Sequence, residues 1–188
     1  MIDIIITVIS IALSYYYTAF MHVFANPAPY KYIVVFIVSF LICWAALFIL
    51  FGIICVIISL PVNINKEYAG TSRFYTTLFG LMLEFAGFVS GARVIVNGRD
   101  KIPRKDRFLF VSNHRSNYDP IIQCGEMKLQ PMAFISKRAN FRIPFIRRYM
   151  VRCRYIPLER KNMRNGAEAV MKAARMISSG QSCIGVYP

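Results

Sequence analysis

The residues best suited to chemistry in this chain are a histidine and an aspartate five positions apart. They lie in Val111-Ser112-Asn113-His114-Arg115-Ser116-Asn117-Tyr118-Asp119-Pro120, a dense polar stretch that follows an apolar, β-rich run. A neutral imidazole acts as a general base when one ring nitrogen is free to accept a proton and a carboxylate holds the other. On a straight helix, five residues leave about 140° between two side chains, so this pair cannot share a helix face. His114 and Asp119 meet if the histidine sits on a strand-end turn and the aspartate opens the next helix. In an α/β sheet that turn lies beyond the carboxyl end of a strand, where ligands collect. A purely structural reading stands beside this one. Asp before Pro is a helix start, with Asp119 as N-cap and Pro120 at the first helical position. One carboxylate has lone pairs enough for both roles.

The elements that must position this pair follow from an uneven distribution of charge. Hydrophobic residues make up 56% of the 188, and 23 Lys and Arg against 9 Asp and Glu give a net charge of +14. That composition excludes intrinsic disorder and a solvated helical rod. Residues 1–65 carry only Asp3 and Lys31; residues 66–188 carry the entire net charge. Chains both apolar and basic meet membranes or anionic ligands.

From Ile33 to Leu60 the sequence runs 28 residues without a charge and stops at Pro61. As a helix this run spans about 42 Å, more than the hydrocarbon core of a bilayer requires. Residues 4–25 form a second apolar segment, softened by Tyr15, Tyr16 and Tyr17. A signal peptide would place Lys or Arg where Asp3 stands, so this segment reads as a retained helix or an interfacial segment. The connection between the two helices holds Lys31 alone, whereas everything beyond Leu60 is basic. The positive-inside tendency therefore places the remainder of the chain on the cytoplasmic side of an integral membrane anchor. The expected domains are an anchor over 1–62, with helices at about 4–25 and 33–60, and a body over 63–188.

Within the body, Phe74–Val89 carries Phe74, Leu78, Leu81, Phe85 and Phe88 at a 3.6-residue period. It reads either as a core helix or as one lying in the bilayer interface. Arg93–Asn97, Phe108–Ser112, Met132–Ser136 and Ser182–Tyr187 read as short strands. Pro120–Met127, parts of Arg142–Val151, and Met163–Ser179 read as helices. The last presents Met163, Ala167, Val170, Ala174 and Ile177 on one side, with Asn162 as its cap and Gly180 as its stop. Strands alternating with helices predict an α/β body. The five cysteines are scattered, with no CxxC pair, and His occurs only at 22 and 114. Reduced thiols and no structural metal are the expectation.

Three blocks, in order, resemble a known family. Asn113-His114-x4-Asp119 is similar to the NHxxxxD block of the glycerolipid acyltransferases, most closely the lysophosphatidic acid (1-acylglycerol-3-phosphate) acyltransferases of the PlsC-like group. Lys137-Arg138-Ala139-Asn140-Phe141-Arg142-Ile143-Pro144-Phe145 resembles the family's Lys-rich turn, and Ile156-Pro157-Leu158-Glu159-Arg160 its apolar stretch ending in Asp-Arg, with Glu in place of Asp. The closing run Ile184-Gly185-Val186-Tyr187-Pro188 resembles the segment ahead of the family's Glu-Gly-Thr-Arg block. Arg147 and Arg154 stand where the family commonly has Gly. The resemblance covers residues 74–188 and implies a transmembrane hairpin followed by a membrane-associated α/β acyltransferase domain, truncated before its last block. It further implies His114 as base, Asp119 as its orienting carboxylate, and Lys137 and Arg160 on the substrate phosphate. The acyl donor is then acyl-CoA or acyl-carrier protein and the acceptor a lysophospholipid, with no metal or resident cofactor.

Between Lys137 and Arg164 ten basic residues stand against Glu159 alone. Most of these charges are expected on a membrane-facing surface, bound to anionic lipid headgroups. Nucleic acid is a poor fit, because aromatic residues are thinly interleaved. Two alternatives remain open at this level: another lysophospholipid or glycerol-3-phosphate as acceptor, and a non-catalytic protein that binds anionic lipid.

Overall fold

A computed structural model describes residues 2–25, 29–91, 93–103, 105–116, 118–159 and 163–187. The chain divides into two compact units, one ending at Ile58 and the other starting at Ser59. The first consists of helix α1 (Ile2–Ala25) and most of α2 (Pro29–Ser59). Both are long and apolar enough to cross a membrane over Ile2–His22 and Tyr30–Ser59. Helix α2 starts before the charge-free run and takes Lys31 into its first turn, and the His22 and Tyr32 rings stack at 4.8 Å.

The second unit is an α/β domain. Its elements in order are α3 (Arg73–Val89), β1 (Leu109–Val111), α4 (Asp119–Glu126), β2 (Met132–Lys137), α5 (Pro144–Arg152), β3 (Ile156–Leu158), α6 (Met163–Ser178) and β4 (Cys183–Val186). The four strands form one parallel sheet in the order β1-β4-β2-β3. Parallel pairing requires crossovers, which the helices supply. Pro157 fits because β3 is an edge strand, where a missing N–H costs no ladder bond.

Three expectations are corrected. Residues 93–98 form no strand, and Val94, Ile95 and Val96 are exposed, Ile95 by 74%. A β-branched run becomes a strand only where a ladder partner exists, and none of the four strands pairs with it. Ile156–Leu158, read only as part of a motif, is a strand. Helix α6 buries Ala169, Ala173 and Met176 against Ala133, Ile156 and Ile184 of the sheet, while Met163 and Val170 are exposed. Ile177 of the expected stripe does pack against this cluster, so the buried face is turned only partly away from the expected one. Asn162 lies outside the described residues. Gly180 ends α6 at φ 70°, its N–H bonded to the Ile177 carbonyl.

The weakly polar side of α3 is likewise a packing face. Gly80 meets α4 and the turn after it so closely that an added Cβ would lie 2.3 Å from Lys128 Cβ and 2.9 Å from the Cys124 carbonyl. Thr77 donates to the Lys128 carbonyl, and Lys128 Nζ pairs with Glu84 at 3.0 Å. Phe79 and Phe85 are buried while Phe74 and Phe88 are exposed, so α3 has one side in the core and an apolar remainder outside it.

Candidate active site

All four strands run parallel, so their carboxyl ends lie along a single edge. Val111 stands beside Val186, Gly185 beside Phe134, and Ile135 beside Ile156. Two residues further along each strand, Asn113, Lys137 and Leu158 come to one level. His114 follows Asn113 directly, and Glu159 follows Leu158. The topology thus gathers the three sequence blocks on one rim, with β4 between the His114 loop and Lys137.

On that rim the structure brings His114 and Asp119 together, with Nδ1 3.2 Å from Oδ2. The same carboxylate oxygen accepts the backbone N–H groups of Arg115 at 2.7 Å and Ser116 at 2.8 Å. A turn makes this possible: the Asp119 N–H bonds the Ser116 carbonyl, and Ser116 Oγ accepts from the Tyr118 N–H. The amides of Ser116 and Arg115 hold the Asp119 carboxyl below its ordinary value, with His114 adding to the effect against partial desolvation. An ionised carboxylate only accepts, so Nδ1 carries the proton and Nε2 is left as a proton acceptor. The side chains of His114 and Asp119 are 32% and 28% exposed, so the pair lies at the surface of the domain.

The structural reading of Asp119 is corrected in its detail. Asp119 is the first residue of α4 and Tyr118 is the N-cap, without a side-chain bond. The carboxylate turns back to the loop that carries His114 rather than forward to the helix amides. Its hydrogen bonds tie the histidine's loop to the helix start, which is a positioning arrangement.

The His114 ring also rests on Tyr187, one residue beyond β4, with centroids 5.1 Å apart. Tyr187 stacks on Phe134 at 6.2 Å and 11°, and its hydroxyl donates to Gln123 Oε1 on α4. Burial raises the Tyr187 phenol above its ordinary value, so it stays a neutral donor. Phe134 packs against Gly185 of β4, where a Cβ would stand 2.3 Å from its ring. Tyr187, Gln123 and the Phe134–Gly185 contact were missed by sequence reasoning. The only sequence signal was a tyrosine at the end of a strand beside the His114 strand; Gln123 carried none.

Lys137 is exposed at the end of β2. Arg160 lies outside the described residues. The basic run is largely occupied in ways the sequence did not indicate. Arg148 Nη1 donates to the Leu60 and Val62 carbonyls at 2.9 and 3.0 Å. Arg152 bonds the Gly70 carbonyl and lies 4.7 Å from the centre of the Tyr68 ring. Arg154 bonds the Ala69 carbonyl and Gln181 Oε1. Three of its arginines clamp the segment 60–70 onto the domain. The cysteines of the body are buried, and burial pushes the Cys124 and Cys153 thiols up to about 12. Neither is a thiolate nucleophile at neutral pH.

Comparison with known proteins adds three findings. Residues 93–188 match the model of the Acyltransferase family. A 1-acyl-sn-glycerol-3-phosphate acyltransferase of Borreliella burgdorferi is 30% identical over 101 residues, covering 54% of this chain and 40% of that protein. A protein of the same name from Streptococcus pneumoniae is 24% identical over 127 residues, covering 67% of this chain and 47% of its own length. The chain therefore spans less than half the length of these relatives. No solved structure matches it.

Proposed function

The chain belongs to the Acyltransferase family, and from that premise we propose that it transfers an acyl chain from acyl-CoA or acyl-carrier protein to the free hydroxyl of 1-acylglycerol-3-phosphate, giving phosphatidic acid. The observation that carries the reading is the partly exposed His114–Asp119 pair at the strand ends, with Nδ1 held by the carboxylate. His114 Nε2 takes the proton of the acceptor hydroxyl as its oxygen attacks the thioester carbonyl. The tetrahedral intermediate collapses and expels the thiolate, which takes the proton back from the imidazolium. Asp119 fixes the ring and stabilises its charged form. No covalent enzyme intermediate is needed, in keeping with buried, protonated cysteines.

Lys137, at the level of Asn113, supplies a cation to the substrate phosphate, and Arg160 a second one with the forked geometry a phosphate matches. The two names carried by the relatives support phosphate as the headgroup. The reaction as written requires no metal or resident cofactor. Helices α1 and α2, each long and apolar enough to cross a membrane, support the reading of an integral membrane protein, which suits an acceptor and product that both reside in lipid. The charge asymmetry across Lys31 and the region beyond Leu60 supports a cytoplasmic catalytic domain.

Thioester consumption by the full-length protein in vesicles tests this, with lysophosphatidic acid, glycerol-3-phosphate and lysophosphatidylcholine offered separately. Lysophosphatidic acid is expected to be preferred, and His114→Ala to lower its rate by about 10²–10⁴ with folding retained. Turnover by His114→Ala above a third of the wild-type rate would overturn the reading.

A further inference from the structure

On the β3 side of the domain, away from His114, lies a cavity of about 610 Å³ whose walls combine three arginines with apolar side chains. Arg138, Arg142 and Arg147 supply the charge; Ile64, Phe141 and Pro157 supply the apolar surface. Arg138 pairs with Glu159 at 3.5 Å. Arg142 and Arg147 have no side-chain partner among the described residues. Three guanidinium groups around one cavity repel each other, and a single exposed carboxylate does not balance them, so the cavity is built for an anion. Strand β3 is at the opposite edge of the sheet from β1, three strand spacings or about 14 Å away. Pro157 lies on that far strand and Arg138 directly follows Lys137 at the end of β2, so the cavity adjoins the β2 and β3 ends of the rim and not the His114 loop after β1.

We propose that this cavity binds the phosphodiester headgroup of an anionic membrane phospholipid, with Arg142 and Arg147 on the phosphate and the glycerol and first acyl carbons against Ile64, Phe141 and Pro157. Two observations choose a lipid over a free phosphate. Four of its seven lining residues, Ile64, Phe141, Val151 and Pro157, are apolar, which a free phosphate does not use. The cavity also takes in the segment that follows the apolar run in sequence: Ile64 lines it, and Arg148, next to Arg147, holds the carbonyls of Leu60 and Val62. Ile64 is only five residues beyond Ser59, at most about 18 Å of extended chain. The proposal does not depend on the acyl-transfer reading.

The test is calorimetric titration of the full-length protein in a non-ionic detergent with dihexanoyl-phosphatidylglycerol, dihexanoyl-phosphatidylcholine and inorganic phosphate. Phosphatidylglycerol is used because its diester is neither acceptor nor product of the proposed reaction. It is expected to bind one site, more tightly than either comparator, and the pair Arg142→Gln and Arg147→Gln should weaken it by about tenfold or more. Arg142→Lys and Arg147→Lys, which keep the charge without the fork, should fall between. Lys137→Gln should leave phosphatidylglycerol binding unchanged. Equal loss with Lys137→Gln would place the lipid on the strand-end rim and overturn the proposal. So would equal affinity for inorganic phosphate, or unchanged binding by the glutamine variants. The titration reads binding and not turnover, so its failure and that of the acyl-transfer reading are separate results.

Discussion

Replacing Gly185 by alanine tests whether the sheet interior sets the position of the catalytic histidine. A Cβ at this position would stand 2.3 Å from Phe134 Cε1 and 2.4 Å from Cδ1. Ordinary carbon contacts lie near 3.5–4.0 Å, so the ring must retreat by more than about 1 Å. Phe134 is 3% exposed and has Tyr155 at 5.5 Å and Tyr187 at 6.2 Å, so there is no free space to retreat into. Overpacking of this kind costs about 1–3 kcal/mol. Alanine recovers about 0.4–1 kcal/mol by restricting the unfolded chain. The clash wins, with a net loss of about 1–2 kcal/mol and a fall in Tm of about 4–10 °C for a domain of this size. Because Tyr187 rests on both Phe134 and His114, turnover should fall further than stability alone accounts for. Thermal unfolding followed by circular dichroism, together with thioester consumption below the transition, measures both. The double variant Gly185→Ala with Phe134→Leu should recover part of the lost stability. A single variant as stable and active as the wild type would refute the contact and the route from sheet to histidine.

Asp119→Asn should keep its oxygen on the Arg115 and Ser116 amides, because both need an acceptor at one point. Thermal stability is then near wild type while turnover falls, though less than in His114→Ala; equal rates would reduce Asp119 to a turn residue. The depressed carboxyl value of Asp119 stabilises the fold fully above the ordinary carboxylate range, and that stabilisation is lost as pH falls through the lower folded value. Acid unfolding curves of the wild type and Asp119→Asn should therefore converge at the acid end, and parallel curves would contradict the assigned shift. Arg154 has φ 60°, a left-handed conformation that costs a non-glycine residue about 1–2 kcal/mol. Arg154→Gly removes that strain but also the bonds to Ala69 and Gln181, each charge-assisted and worth about 1.5–3 kcal/mol before solvent exposure weakens it. A net destabilisation of about 1 kcal/mol is expected by urea titration, and a more stable variant would refute the clamp. Cys124, Cys153 and Cys183 should resist iodoacetamide at pH 8 in the folded protein and react in urea; native alkylation of any of them would contradict their burial.

What the sequence determined by itself was local or one-dimensional. Two apolar runs, a strand-loop-helix around His114 and Asp119, and the ends of α3, α4 and α6 follow from periodicity, caps and turn residues, which depend on neighbours along the chain. The approach of His114 to Asp119 was legible for the same reason, since both lie within one turn. Only the tertiary structure decided which face of a helix is buried and where each charge goes. Ala169, Ala173 and Met176 hold the inner face of α6 while Val170 is exposed, because the docking of the helix on Ala133, Ile156 and Ile184 sets that side. Val94–Val96 stayed out of the sheet because a strand needs a partner as well as a propensity. Arg148, Arg152 and Arg154 bind carbonyls more than 80 residues away in sequence, which no local pattern encodes. The parallel order β1-β4-β2-β3 likewise lifts Lys137 to the level of Asn113, and Tyr187 reaches His114 from a strand far along the chain. Sequence spacing names the groups able to do chemistry, but strand order and register decide which of them meet.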